Sequence, residues 1–263
     1  MPRSCRSRNH LPLLAAAALT LGAAPSGAQS RALPFAVGEK FEYVARAPHG
    51  LRGKATMWIE GPVAVRGVET MVLRFDFSTK VGFVTISDRT TSWLDPQHMA
   101  ALRFDKKEVR FLARHNEHVE MEPATREWTE ADGRTGRSPT SQPLDELSFI
   151  YWLRTVSLEP GESMTLERHF DPARNPTVIR SLGRGRVETP LGTFTTREVE
   201  MRVRDARNYK GEGVIRFSFS DDSCRRPVRI ESTIPDAGTV VMTLASASPT
   251  VAACAAEGRP AEQ

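Results

Sequence analysis

The sequence has 263 residues, 40% of them hydrophobic, with 36 Lys+Arg against 32 Asp+Glu. Its formal net charge of +4 falls to +1 once the three arginines of a predicted leader are removed. No field of one sign is left to argue for nucleic acid or an acidic membrane as a partner.

The first thirty residues read as an export signal. Arg3, Arg6 and Arg8 form a basic start without acids, and a Leu/Ala-rich run follows from Leu11 to about Ala24. Ser26-Gly27-Ala28 then offers small residues at the spacing a signal peptidase reads, with Gln29 as the new N-terminus. The apolar run is shorter than the roughly 20 residues a spanning helix needs. Residues 1–28 are therefore expected to be removed, leaving a periplasmic or secreted chain with no transmembrane segment. Cys5 lies too early to be a lipid-modified cysteine.

The mature body is expected to be one β-rich domain over 29–245, and alternation of apolar and polar residues dominates it. Phe41, Tyr43 and Ala45 alternate with Glu42 and Arg46; Met71, Leu73, Phe75 and Phe77 alternate with Val72, Arg74 and Asp76. Val199, Met201 and Val203 and then Ile215, Phe217 and Phe219 repeat the pattern. Each is a half-buried strand by its period of two. The fold class is mainly β: antiparallel curved sheets, an open barrel or a sandwich.

Between the two strand-rich halves, 33–142 and 158–245, the rhythm breaks. The stretch Ala131–Gln142 is polar and reads as a loop. Pro143-Leu144-Asp145-Glu146 opens a central helix near 143–157, with Pro at its first position and acids at the positive end of its dipole. Leu144, Leu147, Tyr151 and Thr155 mark one face, and Ile150, Leu153 and Val156 widen it until it must pack on most sides. Val37-Gly38-Glu39-Lys40-Phe41 resembles Pro160-Gly161-Glu162-Ser163-Met164, and later segments correspond at similar offsets. A duplication joined by the helix and chance similarity between hairpins both explain this. Residues 246–263 turn to Ala, Ser, Pro, Glu and Gly, the composition of a fraying tail.

Cys224 and Cys254 survive cleavage, and an oxidising compartment permits a disulfide between them. The bond would close a loop of about 30 residues and add ~3 kcal/mol in the chain-entropy model; Cys254 lies in the tail, which leaves two free thiols as the other reading.

Four segments together resemble the bacterial domain-of-unknown-function family 3108. They are the run Phe35–Tyr43, the helix Asp145–Arg154, the turn Val187–Phe194 and the segment Ser220–Val228. Order and spacing carry the likeness, which extends from about Leu33 to Leu244. The resemblance implies an exported, mostly β protein of Gram-negative bacteria. It supplies no activity and no catalytic residues. Phe219 stands where the resemblance leads us to expect tryptophan, and Cys224 departs from the pattern.

The chemistry-bearing residues form no compact motif. His115 and His118 with Glu117 and Glu120 suggest a metal cluster, yet on a strand residues three apart face opposite sides. Asp221-Asp222 reads as a turn cap. No nucleophile elbow, zinc-helix motif or phosphate loop occurs. The expectation is no catalytic, metal or cofactor site, but a non-catalytic module of the cell envelope holding a lipid, glycan or protein partner. Trp58, Trp93, Tyr151 and Trp152 are its candidate lining residues. The alternative is an envelope-polymer hydrolase with dispersed residues, and a structural assembly factor is a third, weaker idea. Mass analysis of exported protein should find a chain that starts at Gln29 or within a few residues of it; exported material retaining Met1 would refute the leader.

Overall fold

The structure, a computed structural model, describes residues 32–110, 113–205, 209–235 and 238–248. The predicted leader with its cleavage position, and Cys254, lie outside these described residues.

The chain folds as a meander that starts in the middle of one sheet. Strand β1 (Lys40–Arg46) is followed by β2 (Arg52–Val65), β3 (Val68–Val81), β4 (Val84–Asp95), β5 (Ala100–Arg110), β6 (Ala113–Glu122), β7 (Glu127–Glu130) and β8 (Thr135–Arg137). Helix α1 (Glu146–Leu153) carries the chain to the opposite edge. There β9 (Ser163–Leu166), β10 (Thr177–Thr189), β11 (Gly192–Arg204), β12 (Glu212–Ser220), β13 (Pro227–Ile234) and β14 (Gly238–Ala247) lead back inward. β14 pairs with β1, so fourteen antiparallel strands form one sheet with β8 and β9 as its edges. The sheet does not close into a barrel. Both edges are short, four residues in β9 and three in β8, which limits their use as templates for other chains.

Alternation places one row of each strand against the helix. Phe41, Tyr43 and Ala45 of β1, Ala55, Met57 and Ile59 of β2, and Phe217 and Phe219 of β12 share one buried cluster with Leu147, Phe149, Tyr151 and Leu153 of α1. Strands from both halves thus meet on the helix. Phe219, at the position where tryptophan was expected, stacks on Phe217 with ring centroids 5.4 Å apart. A second cluster, including Phe104, Val119, Met121, Trp128 and Phe170, lies under β5 to β7.

The helix begins later and ends earlier than the sequence suggests. Pro143 does not open it: Pro143 accepts a hydrogen bond from Ala101 N–H (2.8 Å), and Leu144 forms a parallel bridge with His169. Asp145 is the cap, its Oδ1 accepting from the N–H groups of Leu147 and Ser148 while the Ser148 hydroxyl accepts from Asp145 N–H. At the other end Arg154, Thr155 and Val156 bond three residues back, which tightens the last turn and stops the helix. The stretch 131–142 is not all loop either. Its Gly136 sits against the Trp128 indole, where a Cβ would collide, and this lets β8 pair with β7. Nor does fraying begin at Ser246, because β14 runs to Ala247, which pairs with Phe41, and Ser248 N–H reaches Lys40 O (2.9 Å).

The halves repeat backbone details. Gly38 and Gly161, at φ 93° and 88°, each donate N–H to the carbonyl of a strand beyond, Ile59 and Ser181. Those residues donate back to Glu39 and Glu162, and each strand then bulges at a glycine of positive φ, Gly61 or Gly183. In both halves an aspartate, Asp95 or Asp222, caps the turn before the next strand.

One buried ion pair fastens the helix. Arg154, 1% exposed, places its guanidinium on both oxygens of Glu39 (2.5 and 2.8 Å) and donates to the carbonyls of Pro34 and Cys224 (each 2.9 Å). Phe35, Phe41 and Tyr151 present their rings to it at 5.2–5.6 Å. Replacing Arg154 by Met strands a buried carboxylate, so Arg154→Met should lower stability by about 3–5 kcal/mol in urea unfolding. A loss below about 1 kcal/mol would show that the pair does not hold the fold.

Candidate functional site

Toward the β1–β2, β11–β12 and β13–β14 connections the helix fails to fill the sheet's interior. What remains is a cavity of about 690 Å³. One wall is apolar: Met57, Phe75, Phe77, Phe149, Ile150, Met201, Ile230 and Val240 all face it. The other wall is charged, formed by Asp88, Lys106, Glu108, His115, Glu117, Glu146, His169, Arg174 and Asp205.

Sheet register explains the change of character. Met57 pairs with Phe75, Phe75 with Thr90, Thr90 with Lys106, and Lys106 with Glu117. One strand-pair along, Ala55, Phe77, Asp88, Glu108 and His115 form the neighbouring row. The first row runs from apolar on β2 and β3 through Thr90 to Lys106 and Glu117, the second from apolar to Asp88, Glu108 and His115, and all face inward by the period of two.

The ionised groups hold one another. Lys106 Nζ donates to Glu146 Oε2 (2.7 Å) and lies 3.5 Å from Asp88. Arg174, from a 3₁₀ turn at Pro172–Arg174, contacts Glu146 Oε1 (2.8 Å), Asp205 (3.1 Å) and, at 4.0 Å, Glu117. His115 Nε2 stands 3.7 Å from Glu117. Burial alone would raise the Glu146 carboxyl, but Lys106 and Arg174 outweigh it and hold Glu146 well below the usual carboxylate range. Burial also governs Asp88 and Glu117, and there it wins, pushing both upward against the pull of Lys106 and Arg174 respectively. Among the described residues Glu117 Oε1 has no hydrogen-bond partner.

The aromatics expected from sequence to line a site stand elsewhere. Trp58 is on the opposite face of β2 from Met57, its indole N–H donating to Glu60 (2.7 Å). Trp93 stacks under the Arg103 guanidinium at 5.4 Å. Tyr151 is wholly buried in the core, edge-on to Phe35 at 5.2 Å. Trp152 packs on Phe149 at 5.9 Å and under Arg168 at 5.1 Å. None of the four lines the cavity; Phe75 and Phe149 do. His115 and His118 diverge as strand geometry requires, His115 into the cavity and His118 to Asp105 on the other face. Asp222 caps its turn, accepting from Cys224 N–H and Arg225 N–H (each 3.0 Å), while Asp221 pairs with Arg197 (2.5 Å). Cys224 is fully buried and disulfide-bonded. Sequence reasoning missed Asp88, Lys106, Glu146 and Arg174. The available signal was charge in phase with a buried row, as in Phe104, Lys106 and Glu108.

A family model for proteins of unknown function, DUF3108, matches residues 48–245. The chain belongs to the DUF3108 family. No curated protein matches it. Among solved structures, a β-barrel-like protein of domain of unknown function DUF1849 from Brucella abortus is 11% identical with a TM-score of 0.53, covering 80% of this chain and 96% of that one. At this identity the likeness shows the fold alone. A protein described as a candidate lipoprotein from Parabacteroides distasonis is 9% identical, with TM-score 0.35 and coverage of 82% and 97%. A candidate exported protein with a YmcC-like fold from Bacteroides fragilis is 12% identical, with TM-score 0.36 and coverage of 82% and 98%. Among the described residues of this DUF3108 protein no helix is long and apolar enough to cross a membrane.

Asp145, beside Glu146, supplies a test of the local electrostatics. Burial raises its carboxyl to about 6, against the hydrogen bonds from Ser148, Ser92 and Leu147. An acid raised on folding stabilises the protein below its unfolded pKa of about 4 and loses that contribution as pH rises through its folded value. Asp145→Asn keeps an acceptor for the two helix N–H groups and removes the charge. Its effect on melting temperature should therefore be more favourable at pH 7 than at pH 4. An equal effect at both pH values would refute the buried-charge account.

Proposed function

We propose that this protein is an exported, non-catalytic carrier or receptor of the cell envelope that holds an amphipathic ligand in the cavity between α1 and the sheet. The cavity carries this reading. Its 690 Å³ falls within the ~300–1,000 Å³ of small-molecule sites, and its mixed wall offers an apolar surface for a chain and a charged end for a head group. Export is supported by the N-terminal pattern and by a disulfide at Cys224, for which Cys254 is the proposed partner.

A second reading, a hydrolase of envelope polymers, draws on the same acids, because Glu117 and Glu146 are shifted in opposite directions as acid–base pairs often are. Against it, both Glu146 oxygens are occupied by Lys106 and Arg174, which leaves that carboxylate poorly placed to attack or take a proton.

The test is binding of a neutral apolar fluorophore, N-phenyl-1-naphthylamine, to the folded exported protein. Saturable binding is expected, with displacement by envelope lipid extract. Val240→Trp, which fills the cavity from β14, should weaken binding roughly tenfold or more while leaving cooperative unfolding in place. Unsaturable binding, or binding indifferent to the filled cavity, would remove the carrier reading. Saturable turnover of an ester or glycan that Glu117→Gln abolishes would put the hydrolase in its place.

A further inference from the structure

The charged end of the cavity is unevenly satisfied. Five lining carboxylates face three lining cations, Lys106, Arg174 and Arg204. Arg204 is half exposed and engaged by Glu212 at 3.1 Å, so among the described residues the buried part of the cluster has two cations, Lys106 and Arg174. Both are fully committed. Lys106 sits between Glu146 and Asp88, and Arg174 among Glu146, Asp205 and Glu117. Arg174 Nε lacks a hydrogen bond among the described residues, but the guanidinium charge already faces three carboxylates. Among the described residues no uncommitted cation faces this end of the cavity.

Acceptor capacity, in contrast, is left over. Glu117 is 7% exposed and faces the cavity from β6. Its Oε2 has only long contacts, 3.7 Å to His115 and 4.0 Å to Arg174, and its Oε1 has no hydrogen-bond partner among the described residues. A buried carboxylate without donors is costly, and the site stabilises whatever brings a donor and a positive charge together.

We infer that the polar end of the cavity receives a primary ammonium group carried on an apolar chain, with Glu117 Oε1 as its acceptor. This rests on the carrier reading above and adds the chemistry of the head group. The ammonium donates to Glu117 and brings a positive charge to a buried carboxylate that has only long contacts. Its chain extends along the row from Thr90 toward Phe75 and Met57, where the lining turns apolar. A fatty acid or alkyl phosphate would place an anion beside Glu117 and Asp88, and an alcohol would bring a donor without charge. Burial pushes the Glu117 and Asp88 carboxyls upward, and a cation brought beside them opposes that shift.

The experiment compares dodecylamine, dodecanol and dodecanoate below their micelle concentrations, by calorimetry on the full exported protein at neutral pH. Dodecylamine should bind roughly tenfold or more tightly than either competitor. Lysophosphatidylethanolamine is a fourth probe. Affinity like that of dodecylamine assigns the amine to a phospholipid head, weaker affinity to a simple long-chain amine, and either supports the ammonium site. Glu117→Gln, nearly isosteric, should bring the affinities for dodecylamine and dodecanol to within about threefold of each other. The wild-type comparison decides the matter even if that variant does not fold. Binding of all probes without preference for the amines, or a preference that survives Glu117→Gln, overturns the ammonium site and leaves the carrier reading standing. Binding of none of them overturns both.

Discussion

The Arg154–Glu39 pair is the constraint on which the architecture turns. A fourteen-stranded meander whose first and last strands meet in the middle has no intrinsic way to fix its helix. Arg154 does so by reaching four places at once: Glu39 and Pro34 ahead of β1, the Cys224 loop before β13, and the aromatic rings around it. These belong to both halves of the chain. A buried guanidinium is expensive to desolvate, and here Coulomb attraction, four hydrogen bonds and three ring faces offset the cost. An apolar side chain of similar volume could fill the space but could not select one geometry for three separate segments.

The cavity follows from that anchoring. A helix of eight residues is about 12 Å long, shorter than the strands of twelve to fourteen residues it lies against. With its C-terminal end pinned by Arg154, it covers one end of the sheet's interior and leaves the other open. Toward that open end the inward rows of β4 to β6 meet only the first turn of the helix. They carry Asp88, Lys106 and Glu117 where the neighbouring rows carry phenylalanine. Because Asp88 and Lys106 sit near Glu146, at the first turn of α1, the ions also hold the helix start in place.

Much of the fold was legible because strands announce themselves. The period-two rows around Phe41, Leu73, Met201 and Phe217 are the strands observed, and the apolar stripe around Leu147 and Tyr151 is the helix at the core. What could not be read was where each row turns from core to cavity. Lys106 follows Phe104 on the same face, and nothing in the sequence says that the helix stops short of it. Large aromatics were a poor guide for a related reason. Trp58 and Trp93 were expected to line a ligand cavity, whereas the ladder puts Trp58 on the opposite face from Met57 and gives each indole a charged partner. Boundaries also failed where tertiary contacts decide them. Pro143 looks like a helix start, but the pairing of Leu144 with His169 makes it the end of an extended segment.

Two adjacent acids show how one helix start can serve both stability and the site. Asp145 turns inward to Ser92 and to the helix's own N–H groups, in a place so dry that its carboxyl is raised. Glu146, one residue on, turns to Lys106 and Arg174, which hold its carboxyl low. Identical chemistry is driven in opposite directions because the extended N-cap turns Asp145 to Ser92 and the helix N–H groups, while Glu146, the first helical residue, meets Lys106 and Arg174. The consequence is mechanical. Moving Glu146 would leave Lys106 and Arg174 buried with fewer partners, and moving Asp145 would uncap the helix, so the charged end of the cavity is held from both sides. The opposite wall, built from Val240, Ile230 and Met201, is held by side-chain packing alone. For the proposed carrier role this divides the labour: ion pairs fix the polar end, and the shape of packed apolar side chains sets the other wall.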